Sequence, residues 1–266
     1  MNNGCKIILS YFGKIIRSLT ISIHCSLLTI HYYYSLFMKI RIHSFETLGA
    51  HDGPGLRTVV FFQGCPIKCL YCHNPDMICT KGGKEYSINE VVEFCEKFRV
   101  YHGEDGGITL SGGEPLMQAE GALKLIRALK KEGFHVCIDT SGAVKLSDTV
   151  KEVLNEVDIV LFDIKHTDAD KYFELTSQPI TNMIAMLEYL KTTQKAFYAR
   201  QVIVPTLTDS IEQVKKFKEL AKGAERVELL PYHTLGVNKW QKLGMEYKLK
   251  NIPSATQELM KKLNLV

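Results

Sequence analysis

From Arg57 onward the chain alternates short β-branched or aromatic runs with helical runs, joined by short loops. Runs expected as strands are Arg57 to Gln63, Gly107 to Leu110, His135 to Asp139, Asp158 to Asp163, Phe197 to Val204 and Arg226 to Leu230. Helical spacing occupies Ile88 to Val100, where Ser87 and Glu90 form a capping box. It returns at Gln118 to Glu132, Ser147 to Asn155, Ile211 to Lys222 and Ser254 to Leu263. A strand followed by a crossover helix returns the chain to the same end of the sheet, so the repeated unit demands parallel pairing. Six such units predict an α/β fold, an open partial (β/α)6 barrel with parallel strands. Its site belongs at the C-terminal ends of the strands. Polar residues gather at those ends: Asp139-Thr140, Asp163-Ile164-Lys165, Arg200 and Tyr232-His233.

The chemistry is carried first by Cys65, Cys69 and Cys72, in the run GCPIKCLYCHNPD. Three thiolates at this spacing suit three irons of a four-iron cluster and leave the fourth iron open to something that reacts there. Zinc, and simple burial of small thiols, are the competing readings of CxxxCxxC alone. A second element, Ser111-Gly112-Gly113-Glu114-Pro115, ends a predicted strand in a glycine turn, where backbone can approach a ligand closely. A non-catalytic zinc module would leave this element and the polar strand ends without a use.

With 266 residues the chain can bury one large core. Its net charge of +4 comes mostly from Lys6, Lys14 and Arg17, leaving 30 basic against 29 acidic residues from Met38 onward. That balance offers no phosphate-binding stripe, so a nucleic-acid partner is not expected. Cys79, Cys95 and Cys137 complete the cysteines beyond residue 37 and read as reduced thiols of a cytoplasmic protein.

CxxxCxxC with an aromatic residue, Tyr71, before the last cysteine resembles the signature of the radical S-adenosylmethionine superfamily. The likeness narrows through His43-Ser44-Phe45-Glu46, Asp52-Gly53-Pro54-Gly55 with Arg57, Phe61-Phe62-Gln63-Gly64-Cys65, Leu229-Leu230-Pro231-Tyr232-His233 and Lys239-Trp240. From about residue 39 to the C-terminus the sequence is similar to the pyruvate formate-lyase activating enzyme family. Between Cys72 and Gly112 it has only Cys79 and Cys95, so the two-cluster insert of many related activases is missing.

The resemblance implies an enzyme that cleaves S-adenosylmethionine reductively and takes a hydrogen atom from a glycine Cα of pyruvate formate-lyase or a close relative. Cys65, Cys69 and Cys72 would hold a 4Fe-4S cluster. Tyr71, Cys72, His73, Gly113, Asp163, Ile164, Lys165 and His233 would line the S-adenosylmethionine site. Asp139, Thr140 and Asp163 match positions around a monovalent cation, Na+ or K+, and Asp52 and Gly53 match a segment that contacts the partner's glycine loop. A flavodoxin or ferredoxin as reductant and a cytoplasmic monomer are further implications.

Residues 1–37 lie outside the likeness and contain no acid. Ser18 to Met38 is an uncharged stretch of bilayer-spanning length, but His24, His31 and several Ser and Thr dilute it. The expectation is that the mature chain starts at Met38, with residues 1–37 a non-native or unstructured extension of the 38–266 catalytic domain and no membrane association.

Overall fold

A computed structural model describes residues 38–266; the expectations for residues 1–37 fall outside the described residues. Among the described residues eight strands form one sheet in the order β3-β1-β2-β4-β5-β6-β7-β8. They are β1 (Lys39–Gly49), β2 (Arg57–Phe62), β3 (Lys84–Ser87), β4 (Gly107–Gly112), β5 (Val136–Thr140), β6 (Ile159–Asp163), β7 (Phe197–Ile203) and β8 (Arg226–Pro231). From β2 through β4 to β8 every pairing is parallel. β1 pairs antiparallel with β2. β3 and β8 are the edges, so the sheet is an open barrel of six parallel strands extended by two more.

Helices cross between the parallel strands: α1 (Ile88–Glu96), α2 (Ala119–Lys131), α3 (Asp148–Glu156), α4 (Ala169–Thr176), α5 (Thr181–Thr192) and α6 (Ile211–Leu220). After β8 come α7 (Val237–Lys242) and α8 (Gln257–Asn264). The Ser87 hydroxyl accepts from the Glu90 amide while the Glu90 carboxylate accepts from the Ser87 amide, the capping box that starts α1. Ser147, Ser210 and Thr256 cap α3, α6 and α8 in the same side-chain-to-amide manner. Among the described residues no helix is long and apolar enough to cross a membrane.

The six parallel strands lie within a residue or two of the expected runs, whereas β1, β3, α4, α5 and α7 fall outside the expected elements. In β1, Lys39-Ile40-Arg41-Ile42-His43 alternates as a half-buried strand should, but the alternation breaks at Ser44, where the pairing with β2 shifts register, so the apolar run is short. In α5, Met183, Met186, Leu187 and Leu190 do fall on one buried face at helical spacing. That stripe was readable. Ile108, Leu110, Val136, Ile138, Val160 and Phe162 join the helix faces in the main core.

Candidate active site

The cysteine loop leaves β2 and closes on itself before β3. The Gly64 and Cys65 amides donate to the Met77 and Ile78 carbonyls at 2.8 and 3.2 Å. Buried Gln63 donates from Nε2 to the carbonyls of Asp76 and Cys79. On its other flank the Lys68 and Leu70 amides donate to Thr176 and Leu175 at the end of α4. The later segment fastens it further. The Trp240 indole donates to the Cys72 carbonyl at 2.8 Å, Lys239 donates to Asn74 Oδ1 at 2.8 Å, and His73 Nε2 lies 2.9 Å from the His233 carbonyl.

This frame turns all three thiols into one cavity of about 380 Å³. Ile67, Cys69 and Ala143 pack together beside Cys65 and Cys72, giving the sulfurs an apolar surround. Burial pushes the Cys69 thiol up to about 12 and raises Cys65 and Cys72 as well. They become thiolates only with a metal to compensate them. Among the described residues no three His, Cys, Asp or Glu side chains form a ligand set for a single metal ion. Three soft thiol donors lining one cavity suit a multi-iron group, so the residues present fit a cluster.

Gly112 and Gly113 line the same cavity as the thiols. A Cβ on Gly113 would stand 2.1 Å from the Gly64 carbonyl oxygen, so this approach of β4 to the cysteine loop requires glycine. Glu114 turns the other way. It is fully buried, and its carboxylate accepts from the Thr140 hydroxyl, the Ser141 hydroxyl, and the Ser141 and Leu116 amides. The acid of this motif therefore fixes the turn after β5 while the glycines form the wall.

A charge cluster makes the floor. Arg200 from β7 donates Nη2 to Asp139 at 2.5 Å and Nε to Asp163 at 2.8 Å, and Lys165 donates to the other Asp163 oxygen at 2.7 Å. Ser111 donates to the second Asp139 oxygen. Burial would raise the Asp163 carboxyl, but Arg200 and Lys165 outweigh it and hold it below its ordinary value. Burial works against the Lys165 ammonium too, yet the Asp163 carboxylate outweighs it and raises it well above its ordinary value. The Lys165 ammonium also stands 5.9 Å from the Tyr71 ring centre.

The cavity thus collects Asp52, Cys65, Cys69, Tyr71, Cys72, His73, Gly113, Asp139, Thr140, Asp163 and Lys165 from the sequence reading. Three residues fall elsewhere. Ile164 is fully buried in the main core, because alternation along the chain turns Asp163 and Lys165 to the cavity and Ile164 away from it. His233 stacks on His73, ring centres 4.0 Å apart, and both line a neighbouring cavity of about 770 Å³ along β8, as does Gly53. Burial lowers the His73 imidazole below its ordinary value. Arg200 was noticed in the sequence as a strand residue, but its bridging role needed the two aspartates side by side. Glu114 was missed because its motif suggested a ligand contact.

The family model described as a 4Fe-4S single cluster domain matches residues 51–182. The chain is 44% identical over 227 residues to the pyruvate formate-lyase-activating enzyme of Clostridium pasteurianum, covering 84% of this chain and 94% of that one. To the pyruvate formate-lyase 1-activating enzyme of Escherichia coli K12 it is 39% identical over 228 residues, covering 84% and 93%. Among solved structures, a radical SAM methyltransferase from Sphaerobacter thermophilus shares the fold with a TM-score of 0.57. That alignment has 18% identity and covers 79% of this chain and 62% of that one.

Proposed function

The chain belongs to the family of pyruvate formate-lyase-activating enzymes, and on that premise we infer that it cleaves S-adenosylmethionine reductively and abstracts a hydrogen atom from a glycine Cα of a glycyl-radical enzyme. Residues 38–266 form the catalytic domain, with Cys65, Cys69 and Cys72 as ligands of a 4Fe-4S cluster. When bound, the cluster supplies the electron for that cleavage and an iron without a protein ligand.

The observation that carries the reading is the convergence of the three thiols, the Gly112-Gly113 backbone and the Asp163–Lys165 pair on one cavity. Tyr71 and His73 extend that wall toward S-adenosylmethionine, and His233 supports His73 from behind by stacking. Lys165 presents a fixed positive charge for a carboxylate, and Asp139 and Asp163 present negative charge for an ammonium or sulfonium. Arg200 already offsets part of the aspartate charge, so a sodium or potassium ion at Asp139, Thr140 and Asp163 would add to that role. Asp52 and Gly53 stand where a glycine-bearing loop would enter, at the border of the two cavities. A flavodoxin or ferredoxin reductant and a monomeric, cytoplasmic protein belong to the same proposal.

Anaerobic reconstitution with iron and sulfide tests it. A brown protein bleached by dithionite that releases 5′-deoxyadenosine and methionine supports the reading. Cys69→Ala should lose both colour and cleavage, and Cys95→Ala should keep both. A colourless protein holding one zinc per chain would contradict it.

A further inference from the structure

Arg57 opens β2 and is fully buried, yet none of its hydrogen-bond partners among the described residues is a carboxylate. Its Nη2 donates to the Ile108 carbonyl at 2.7 Å and the His135 carbonyl at 3.1 Å, at the starts of β4 and β5, and lies 3.2 Å from His135 Nδ1. The other two nitrogens aim at one turn. Nη1 donates to the Pro54 carbonyl at 2.9 Å, and Nε donates to the Thr109 hydroxyl at 2.6 Å. That hydroxyl in turn donates to the Asp52 carbonyl at 2.6 Å. A buried guanidinium with no carboxylate bonded to it directly is costly, and a site that keeps one uses its rigid fork of donors for geometry.

The turn lies directly against this side chain. Gly53 has φ +124°, and a Cβ there would meet Arg57 Cδ at 3.1 Å, Arg57 Nε at 3.2 Å and Cys137 Sγ at 3.2 Å. Asp52 faces the thiol-lined cavity, while Gly53 faces the cavity along β8. With His73 and Val202, which line both cavities, the turn is thus a partition between the place where S-adenosylmethionine is cleaved and the space that opens beside it.

We propose that Arg57, acting with Thr109, is a positioning residue that holds the Asp52–Pro54 turn as this partition and so sets where the partner's glycine meets the cleavage site. This rests on the activase reading above. Arg57 lines neither of the two cavities; it acts through two carbonyls of the turn. Its loss should therefore separate two activities that the intact protein couples: cleavage of S-adenosylmethionine, which needs the thiols and the charge cluster, and hydrogen abstraction from the partner, which also needs the partition.

The test compares reconstituted parent, Thr109→Val, Thr109→Ser and Arg57→Lys. Glycyl radical formed on pyruvate formate-lyase is counted by electron paramagnetic resonance and divided by 5′-deoxyadenosine released in the same mixture. Thr109→Val keeps the side-chain shape and removes the hydroxyl relay, so the ratio should fall about tenfold, the scale of one well-placed hydrogen bond. Cluster absorbance and dithionite-driven cleavage without partner should stay at parental levels. Thr109→Ser should restore the ratio, and Arg57→Lys should lower it as Thr109→Val does. A parental ratio in Thr109→Val, or a fall matched by equal loss of cluster and cleavage, would overturn the inference. Absence of radical with the parent, despite active pyruvate formate-lyase controls, would instead count against the activase reading itself.

Discussion

The Trp240 indole N–H donates to the carbonyl oxygen of Cys72 at 2.8 Å, joining residues 168 positions apart. Trp240 also meets the Tyr247 ring edge-on and belongs to the cluster in which Tyr232, Tyr247 and Leu249 pack beside Tyr71. The segment after β8 is therefore a clasp on the ligand loop. Trp240→Phe keeps most of the ring packing and removes the donor. It should leave the fold intact and speed iron release to a chelator about tenfold, as expected for loss of support behind a ligand. Chelator-dependent bleaching followed at constant protein concentration measures this, and a parental release rate would count against the clasp.

Arg200 stands between Asp139 and Asp163, and the three make a buried charge set that only works complete. Arg200→Met leaves two carboxylates facing each other with Lys165 as the remaining cation, which should cost about 3–5 kcal/mol of stability. Asp139→Asn added to it should recover part of the loss. Urea unfolding of the four proteins of this cycle is the check. A single variant as stable as the parent would show that the bridge carries no weight.

Lys165 pairs with Asp163 at 2.7 Å and lines the cavity. Lys165→Ala should weaken S-adenosylmethionine binding about tenfold or more, as for a lost charge-assisted contact, with cluster content unchanged. Equilibrium dialysis under anaerobic conditions tells the two effects apart. Equal affinity in parent and variant would remove Lys165 from the binding site.

Asp158 lies at the other end of the strands, where it accepts from Lys130 at 2.5 Å and from the Val136 amide at 2.7 Å. Burial would raise this carboxyl, but the Lys130 and Val136 hydrogen bonds and the Lys130 charge prevail and set it below its ordinary 3.8. A carboxyl depressed in the folded state stabilises above its unfolded pKa and loses that contribution as pH falls through the folded value. Asp158→Asn should thus be less stable than the parent by about 1–2 kcal/mol at neutral pH. The gap should close as pH drops from about 4 downward. Urea titrations at several pH values measure it, and a gap independent of pH would exclude the ionised carboxylate as its source.

The sequence made the parallel strands legible because each is a short apolar run between turn residues, and it made the thiol triplet legible because spacing alone constrains it. What it concealed depends on which way neighbours turn. Asp163, Ile164 and Lys165 read as one polar-ended group, but alternation sends Ile164 into the core. Glu114 adjoins two cavity-wall glycines and yet points into the turn after β5. Arg57 reads as the first residue of a strand after the Asp52-Gly53-Pro54-Gly55 run, and its buried fork appears only once β4 and β5 lie beside it. In β1 the alternation around Ile40 and Ile42 stops at Ser44, where the pairing with β2 shifts register, so only a short stretch of it carries the strand signal.

The most direct test of the account is the spin count on pyruvate formate-lyase after anaerobic mixing with reconstituted protein, S-adenosylmethionine and a reductant. The account predicts a glycyl-radical doublet whose intensity rises with 5′-deoxyadenosine release and disappears in Cys65→Ala, Cys69→Ala and Cys72→Ala. A doublet of undiminished intensity in any of these three variants, or 5′-deoxyadenosine release by the parent with no doublet on an activatable partner, would contradict it.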